Sequence, residues 1–322
     1  SNDREVIPRF IDEAKLTARL QHPNLCQVLD FGMMDNRYDL PLEFVHGLDL
    51  AILQKRLEKR KELLPEDLCL LVTAAILRGL GYAHQAVDDE GRRLGLVHRD
   101  VSPQNVLLSV NGDIKLSDFG VAKANAAVRH ARTAANIALG KLSYMAPEQR
   151  MGEQVDERTD IYTVGILLGE MLQGPSSFRR MAGAGQVDRD TMAVAAGKRF
   201  QRDQARRVSA IIVRALEEKP ERRYSDALSM LSEVEHVAAE LGKSAPVDRL
   251  GRLVRLLMEE DEVETGRSDK AEQVPQEIAT SSLVVAPANP FMLFGGDDAG
   301  LGANPVTNEE LGELETQFLR AS

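Results

Sequence analysis

Apolar residues recur along this chain at two periods, and the changes between them mark out its elements. Behind Pro8, the residues Ile7, Phe10, Ile11, Ala14 and Ala18 step by three and four, which predicts one amphipathic helix over residues 4 to 20. His22-Pro23-Asn24 ends it. Two short extended runs follow, Cys26 to Phe31 and Tyr38 to Val45, joined by a polar turn at Asp35-Asn36. Pro41 has no N–H to give a ladder, so it belongs at an edge or a local irregularity. From Gly47 onward the character is helical. Pro65 opens a run with Leu68, Leu71, Val72, Ala75, Ile76, Leu80 and Ala83 on one face, a core helix. After the charged loop Asp88 to Arg93 come two apolar strands around Asn111-Gly112 and then a long irregular stretch. Helices are expected again at Asp160 to Leu172, Ala205 to Glu218 and Ser225 to Leu241. Beyond Gly242, polar, Pro and Gly segments with two short amphipathic patches, Leu250 to Met258 and Leu311 to Leu319, read as a tail with some helix.

Composition narrows the class. With 322 residues, 43 % of them hydrophobic, the chain can bury one large core or two lobes and a tail. Its two cysteines, Cys26 and Cys69, form no CxxC or metal-ligand spacing, so they read as buried apolar residues in a reducing compartment. No run approaches the roughly 18 to 20 uninterrupted apolar residues of a membrane span, and no charged-then-apolar signal opens the chain. The expectation is a cytoplasmic protein with no membrane contact in the visible chain. The absence of an initiator Met before Ser1-Asn2-Asp3-Arg4 leads us to expect a gene product that extends upstream. Net charge is −10, but residues from Glu259 onward hold 14 acidic against 3 basic, a balance of −11 that leaves about +1 for the rest. The acidity therefore belongs to the tail. Basic residues are scattered without interleaved aromatics, which excludes a nucleic-acid footprint.

Asn-Gly between apolar runs is a strong signal for a two-residue hairpin turn of mirror type. Such a turn at Asn111-Gly112 pairs residues whose numbers sum to 223 and so sets Asn105 opposite Asp118 on one face of the ribbon. An amide oxygen and a carboxylate together suit Mg²⁺. Before Asn105 stands His98-Arg99-Asp100-Val101-Ser102-Pro103-Gln104-Asn105, and Asp118 opens Asp118-Phe119-Gly120. Downstream come Ala146-Pro147-Glu148, Asp160 with Gly165, and Arg223 within Pro220-Glu221-Arg222-Arg223-Tyr224. The first two match the protein-kinase signatures HRDxxxxN and DFG, and the others follow in order at kinase spacing. From about residue 4 to 241 the chain resembles bacterial protein kinases of eukaryotic type.

The resemblance implies an α+β, protein-kinase-like fold, with residues 1–46 as a remnant small lobe, 47–241 as a mainly helical large lobe and 242–322 as an acidic, largely flexible tail. It implies ATP and Mg²⁺ as cofactors and a protein substrate with a Ser/Thr acceptor. Asp100 would orient and deprotonate the acceptor hydroxyl, and Asn105 and Asp118 would be the metal ligands. Glu13, in Phe10-Ile11-Asp12-Glu13-Ala14, would pair with the ATP-binding lysine. Leu42 would be the gatekeeper, with Glu43, Phe44 and Val45 meeting adenine through backbone groups. His98 and Phe119 would pack beneath the site, Asp160 would accept backbone hydrogen bonds around Arg99, and Glu148 and Arg223 would form a buried ion pair. Arg99 would pair with a phosphate on the activation segment, where Thr133 is the only Ser or Thr between Phe119 and Lys141.

The chain departs from the family in three places. The glycine loop and the strand lysine would both precede Glu13, so this fragment alone is expected to phosphorylate poorly or not at all. Ser102 stands where such kinases usually carry lysine, and Lys141, in Gly140-Lys141-Leu142-Ser143-Tyr144, stands where they usually carry threonine. Lys141 is accordingly a candidate to supply the cation that Ser102 does not. The alternative to an active Ser/Thr kinase is a pseudokinase or signalling scaffold, which the retention of Asp100, Asn105 and Asp118 opposes.

Overall fold

The structure is a computed structural model that describes residues 19–30, 32–34, 37–39, 41–119, 143–183 and 188–265. All of these lie in one compact unit, residues 1–286, of the two into which the chain divides. The expected helix over residues 4 to 20 falls outside the described residues except for its last two positions, and the patch at Leu311 to Leu319 falls wholly outside.

β1 (Gly32–Met34) and β2 (Arg37–Asp39) pair antiparallel, with Gly32 opposite Asp39. Farther along, Val28 bridges Leu42, and Leu29 N–H donates to the Pro41 carbonyl at 2.8 Å. Between the two pairings the register slips by one residue, the irregularity that Pro41 leads one to expect. The same segment is stitched to the second sheet: Cys26 N–H donates to Leu116 O, and Leu116 N–H to Asn24 O, both at 2.9 Å.

The second sheet has the order β3-β4-β5, from Gly47–Asp49, Val106–Ser109 and Ile114–Leu116, all antiparallel. At Gly47 any side chain would collide with the Leu108 carbonyl, so only glycine lets β3 approach. Asp49 then caps α1 (Leu50–Lys59) by accepting the Ile52 N–H at 2.7 Å.

α2 (Glu66–His84) is the central helix of the large lobe. Among the described residues it is the one helix long and apolar enough to cross a bilayer, but 83 % of its apolar window is buried inside the fold. Around it pack α4 (Glu157–Gln173), capped by Asp156, and α8 (Ala227–Glu240), capped by Asp226. α3 (Pro147–Met151), α5 (Pro175–Gly183), α6 (Arg189–Gly197) and α7 (Arg202–Ala215) complete the lobe.

Two expectations are corrected. The β4–β5 connection is a three-residue loop, Val110-Asn111-Gly112, and partner numbers sum to 222: Val106 faces Leu116 and Leu108 faces Ile114. A mirror turn needs positive φ at both central residues, whereas only Gly112 adopts it, at 90°. The Ser109 hydroxyl holds the wider loop, accepting the N–H groups of Asn111 (3.1 Å) and Asp113 (2.9 Å) and donating to Asp113 Oδ2 at 2.7 Å. The second correction concerns the tail. Residues Pro246–Thr265 form a helix, α9, with Leu250, Val254 and Leu257 wholly buried, so the first part of the supposed flexible segment is built into the large lobe.

Candidate active site

The loop His98 to Asn105 is held from below by one carboxylate. Asp160, wholly buried near the start of α4, accepts the backbone N–H of His98 on Oδ2 and of Arg99 on Oδ1, each at 2.8 Å. His84, the last residue of α2, donates Nε2–H to the same Oδ2 at 2.8 Å. Burial pushes the Asp160 carboxyl up, but the His84 bond, the charges of His84 and His98 and the Arg99 N–H together hold it below the usual carboxylate range. The sequence expectation for Asp160 thus holds. His84 was not foreseen, since a lone His at a helix end carries no signal by itself.

His98 is fully buried and bridges two backbone segments. Its Nε2–H donates to Ser117 O at 2.9 Å, its Nδ1 accepts the Asp100 N–H at 3.3 Å, and its ring meets Phe119 edge-on with centroids 4.9 Å apart. Both therefore pack under the loop, as expected. Gln149 of α3 ties the loop to the Ala146-Pro147-Glu148 segment, accepting the Ala146 N–H at 3.1 Å and donating to Arg99 O at 3.0 Å. That contact also escaped the sequence reading.

The corrected hairpin register sets Asn105 opposite Ser117, whose N–H donates to Asn105 O at 2.8 Å. A slip of one residue moves side chains to the other face of a ribbon. Asp118, one residue later, has left the ladder: its φ is +59°, and Arg99 is likewise left-handed at +66°. Each such non-glycine conformation costs on the order of 1 to 3 kcal/mol and concentrates at functional sites. Burial, then the Glu43 charge, push the Cys26 thiol up, with the half-buried Asp118 adding a lesser push in the same direction. Asn105 Nδ2 donates to Asp100 O at 2.7 Å and lies 3.4 Å from Asp100 Oδ2, so amide and carboxylate share one locus. That leaves Asn105 Oδ1 without a partner among the described residues.

In the segment expected to meet adenine, Glu43 N–H donates to Gln27 O at 2.9 Å, while its carboxylate accepts the Gln27 N–H at 2.8 Å and Lys115 Nζ at 2.7 Å. The Glu43 carbonyl faces the Cys26 thiol at 3.6 Å. Among the described residues nothing bonds the backbone of Val45. The Ser102 hydroxyl is buried and has no hydrogen-bond partner among them either. Glu13, Thr133 and Lys141 lie outside the described residues.

With this geometry in place, the comparisons supply the family. The protein kinase domain family matches residues 1–237, and the chain belongs to it. It is 33 % identical over 241 residues to the tyrosine-protein kinase MasK of Myxococcus xanthus, covering 74 % of this chain and 37 % of that one. It is 31 % identical over 263 residues to the serine/threonine-protein kinase PrkC of Bacillus subtilis, covering 81 % and 37 %. Identity to the serine/threonine-protein kinase PknL of Mycobacterium tuberculosis is 34 % over 248 residues, covering 75 % and 57 %. The chain thus spans just over a third of the length of MasK and PrkC. Among solved structures, the PknI kinase domain of M. tuberculosis superposes with a TM-score of 0.53 at 27 % identity, covering 74 % of this chain and 81 % of that one.

Proposed function

We propose that this domain transfers the γ-phosphoryl group of ATP to a Ser or Thr hydroxyl of a protein substrate. One observation carries the reading: the Asn105 amide is anchored on Asp100, so the candidate proton acceptor and a candidate metal ligand share one locus beside Asp118. Asp100 orients the acceptor hydroxyl and takes its proton. Mg²⁺ would be held by Asn105 Oδ1 and the Asp118 carboxylate. The donor set fits: this ion is held by one or two carboxylates and substrate phosphates, and among the described residues no cluster of three His, Cys, Asp or Glu side chains offers an all-protein cage. When bound, the ion offsets charge on the phosphate, and the protein's share is placement and fixed dipoles. The unengaged backbone of Val45 suits an adenine edge, with Glu43 O beside it and Glu13 reserved for a lysine.

Arg99 pairs with a phosphate on Thr133 in this reading, and Lys141 provides the cation that Ser102 lacks. The isolated chain has no glycine in residues 1–31, hence no glycine loop ahead of Glu13, and transfers phosphate slowly or not at all. Free thiols at Cys26 and Cys69 support a cytoplasmic setting.

The identity to MasK favours tyrosine as a second acceptor class. Phosphoamino-acid analysis after incubating the gene product, with its natural upstream sequence, with labelled ATP, Mg²⁺ and mixed acceptor proteins separates the readings. Label on Ser or Thr that disappears in Asp100→Asn supports the proposal. Label on Tyr alone replaces it with the tyrosine reading, and no label together with no Mg·ATP binding replaces it with the scaffold.

A further inference from the structure

The helix α9 lies beyond residue 237, where the family match ends, yet it is fixed to the site from behind. Its buried stripe, Leu250, Val254 and Leu257, seats it against β3, β4, α1 and α2. Polar clamps hold both ends. Lys243, just ahead of the helix, and Arg249 reach the buried carboxylate of Asp67, while Arg56 donates to Leu257 O at 2.7 Å and Arg60 pairs with Glu260 at 2.7 Å.

The contact that matters for function is with one residue, Val110. The Val110 N–H donates to His46 O at 2.9 Å, and the Val110 carbonyl accepts Arg255 Nη1 at 2.5 Å. The backbone of α9 is pressed against that same carbonyl at Gly251, where an added methyl would stand 2.7 Å from Val110 O and 3.0 Å from Gly112 N. On the hairpin side, a side chain at Gly112 would collide with the Val247 carbonyl. One glycine on each element therefore faces the backbone of the other element across this interface, each at a position where any larger residue must push the elements apart. His46 follows Val45 directly, and Val110 opens the loop between β4, which Asn105 precedes, and β5, which ends two residues before Asp118. The backbone of one residue, Val110, thus joins the segment after Val45, the hairpin and α9.

We propose that Arg255 and Gly251 are positioning residues, through which α9 sets the hinge and the β4–β5 hairpin in one fixed relation and so aligns the adenine edge with the metal ligands. This rests on the kinase reading of Val45, Asn105 and Asp118. The alternative is that α9 only adds buried area to the lobe.

Hydrogen exchange read by mass spectrometry on the chain of residues 1–322 separates the two. In Arg255→Ala, exchange should rise by about tenfold in peptides covering 43–49 and 105–118, with α4 unchanged. Arg255→Lys, which can still donate to Val110 O, should recover most of the protection. Gly251→Val should reproduce the effect, and if it fails to fold, the Arg255 pair decides alone. Arg60→Ala, which loosens α9 at its solvent end, should leave the hinge and hairpin as they were. Faster exchange confined to α9, or spread evenly through the lobe, overturns the proposal.

A second arm measures Mg·ADP affinity well below the melting temperature, where stability alone does not move a binding constant. The expected weakening in Arg255→Ala is about fivefold, the low end for coupling between sites, and an unchanged affinity alongside faster hairpin exchange also overturns it. If the wild-type chain binds no Mg·ADP, the measurement is made on the gene product with its natural upstream sequence; absence of binding there defeats the nucleotide reading of the site, while the exchange arm still decides whether α9 holds the 43–49 segment and the hairpin.

Discussion

Glu148 and Arg223 meet fork to fork across 75 residues of chain, Nη1 to Oε1 at 2.7 Å and Nη2 to Oε2 at 2.8 Å, with both side chains buried. The remaining guanidinium hydrogens go to the carbonyls of Glu217, Arg158 and Glu218, so all five donors are used. Thr159 Oγ1 donates to Glu148 Oε1 at 2.8 Å. Burial pushes the Glu148 carboxyl up, but the bonds from Arg223 and Thr159 more than offset it and leave it below its usual range. Breaking such a pair strands a buried charge, which costs about 3–5 kcal/mol. Arg223→Ala should lose that much in urea denaturation. Arg223→Ala with Glu148→Gln should cost clearly less than the two single changes added together. Additivity of the two would show that the pair is not coupled as the geometry requires.

The Asp160 carboxylate makes a different prediction because its partners are backbone amides and a histidine. Asn at this position keeps the shape but turns an N–H₂ toward donors, so Asp160→Asn should destabilise the chain by about 2 kcal/mol at pH 7. A carboxylate with a lowered pKa stabilises the fold above its unfolded value, and that contribution fades as pH falls through the folded one. The melting-temperature gap between wild type and Asp160→Asn should therefore narrow on acidification below the ordinary carboxylate range. A gap that widens toward low pH would contradict the assignment.

Glu170 in α4 titrates in the opposite sense. It is buried, and its Oε2 accepts the Tyr144 hydroxyl at 2.5 Å, with Arg179 as a more distant charge and Phe178 packed on the tyrosine at 5.2 Å. Burial outweighs the Tyr144 bond and the Arg179 charge and pushes the carboxyl up to about 7. A carboxyl with a raised pKa contributes stability that is complete below the unfolded value and is lost as pH rises through the folded one. Relative to Glu170→Gln, which stays neutral throughout, the wild type should lose stability between about pH 4.5 and pH 7. Thermal melts of both proteins across that window test it, and parallel curves would place the carboxyl's titration elsewhere.

The buried contacts around the candidate site were legible in the sequence because each partner sits in a short local motif: His98 with Phe119, Asp160 with the loop at Arg99, and Glu148 with Arg223. Helix α4 was likewise read to within three residues of its start and one of its end, since its apolar run is long. What the sequence hid was set by partners far along the chain. The hairpin register was misread because the turn preference of Asn111-Gly112 yields to the Ser109 hydroxyl and to the contacts of Val110 with His46 and Arg255. β3 was missed because three residues carry no periodicity, and its only mark is Gly47. The patch Leu250 to Met258 was visible, but its burial depends on the hairpin and on Asp67. For Glu13, Thr133 and Lys141 the reading from the motif stands by itself.

Ser102 connects the departure from the family to a measurable quantity. Its side chain is 2 % exposed, and its hydroxyl has no hydrogen-bond partner among the described residues. A buried hydroxyl without a partner costs about 1–3 kcal/mol of desolvation, so deleting it should be neutral or favourable. Ser102→Ala is expected to leave the urea midpoint unchanged or to raise stability by up to about 1 kcal/mol. Ser102→Lys restores the residue that such kinases usually carry here, but it brings an ammonium to a buried position. It should destabilise the chain by several kcal/mol, unless a carboxylate turns to meet it. If Ser102→Ala instead lowers stability by more than about 1 kcal/mol, the hydroxyl is bonded in solution and the site is already satisfied without a cation. In that case the proposed exchange of roles between Ser102 and Lys141 has no vacancy to fill.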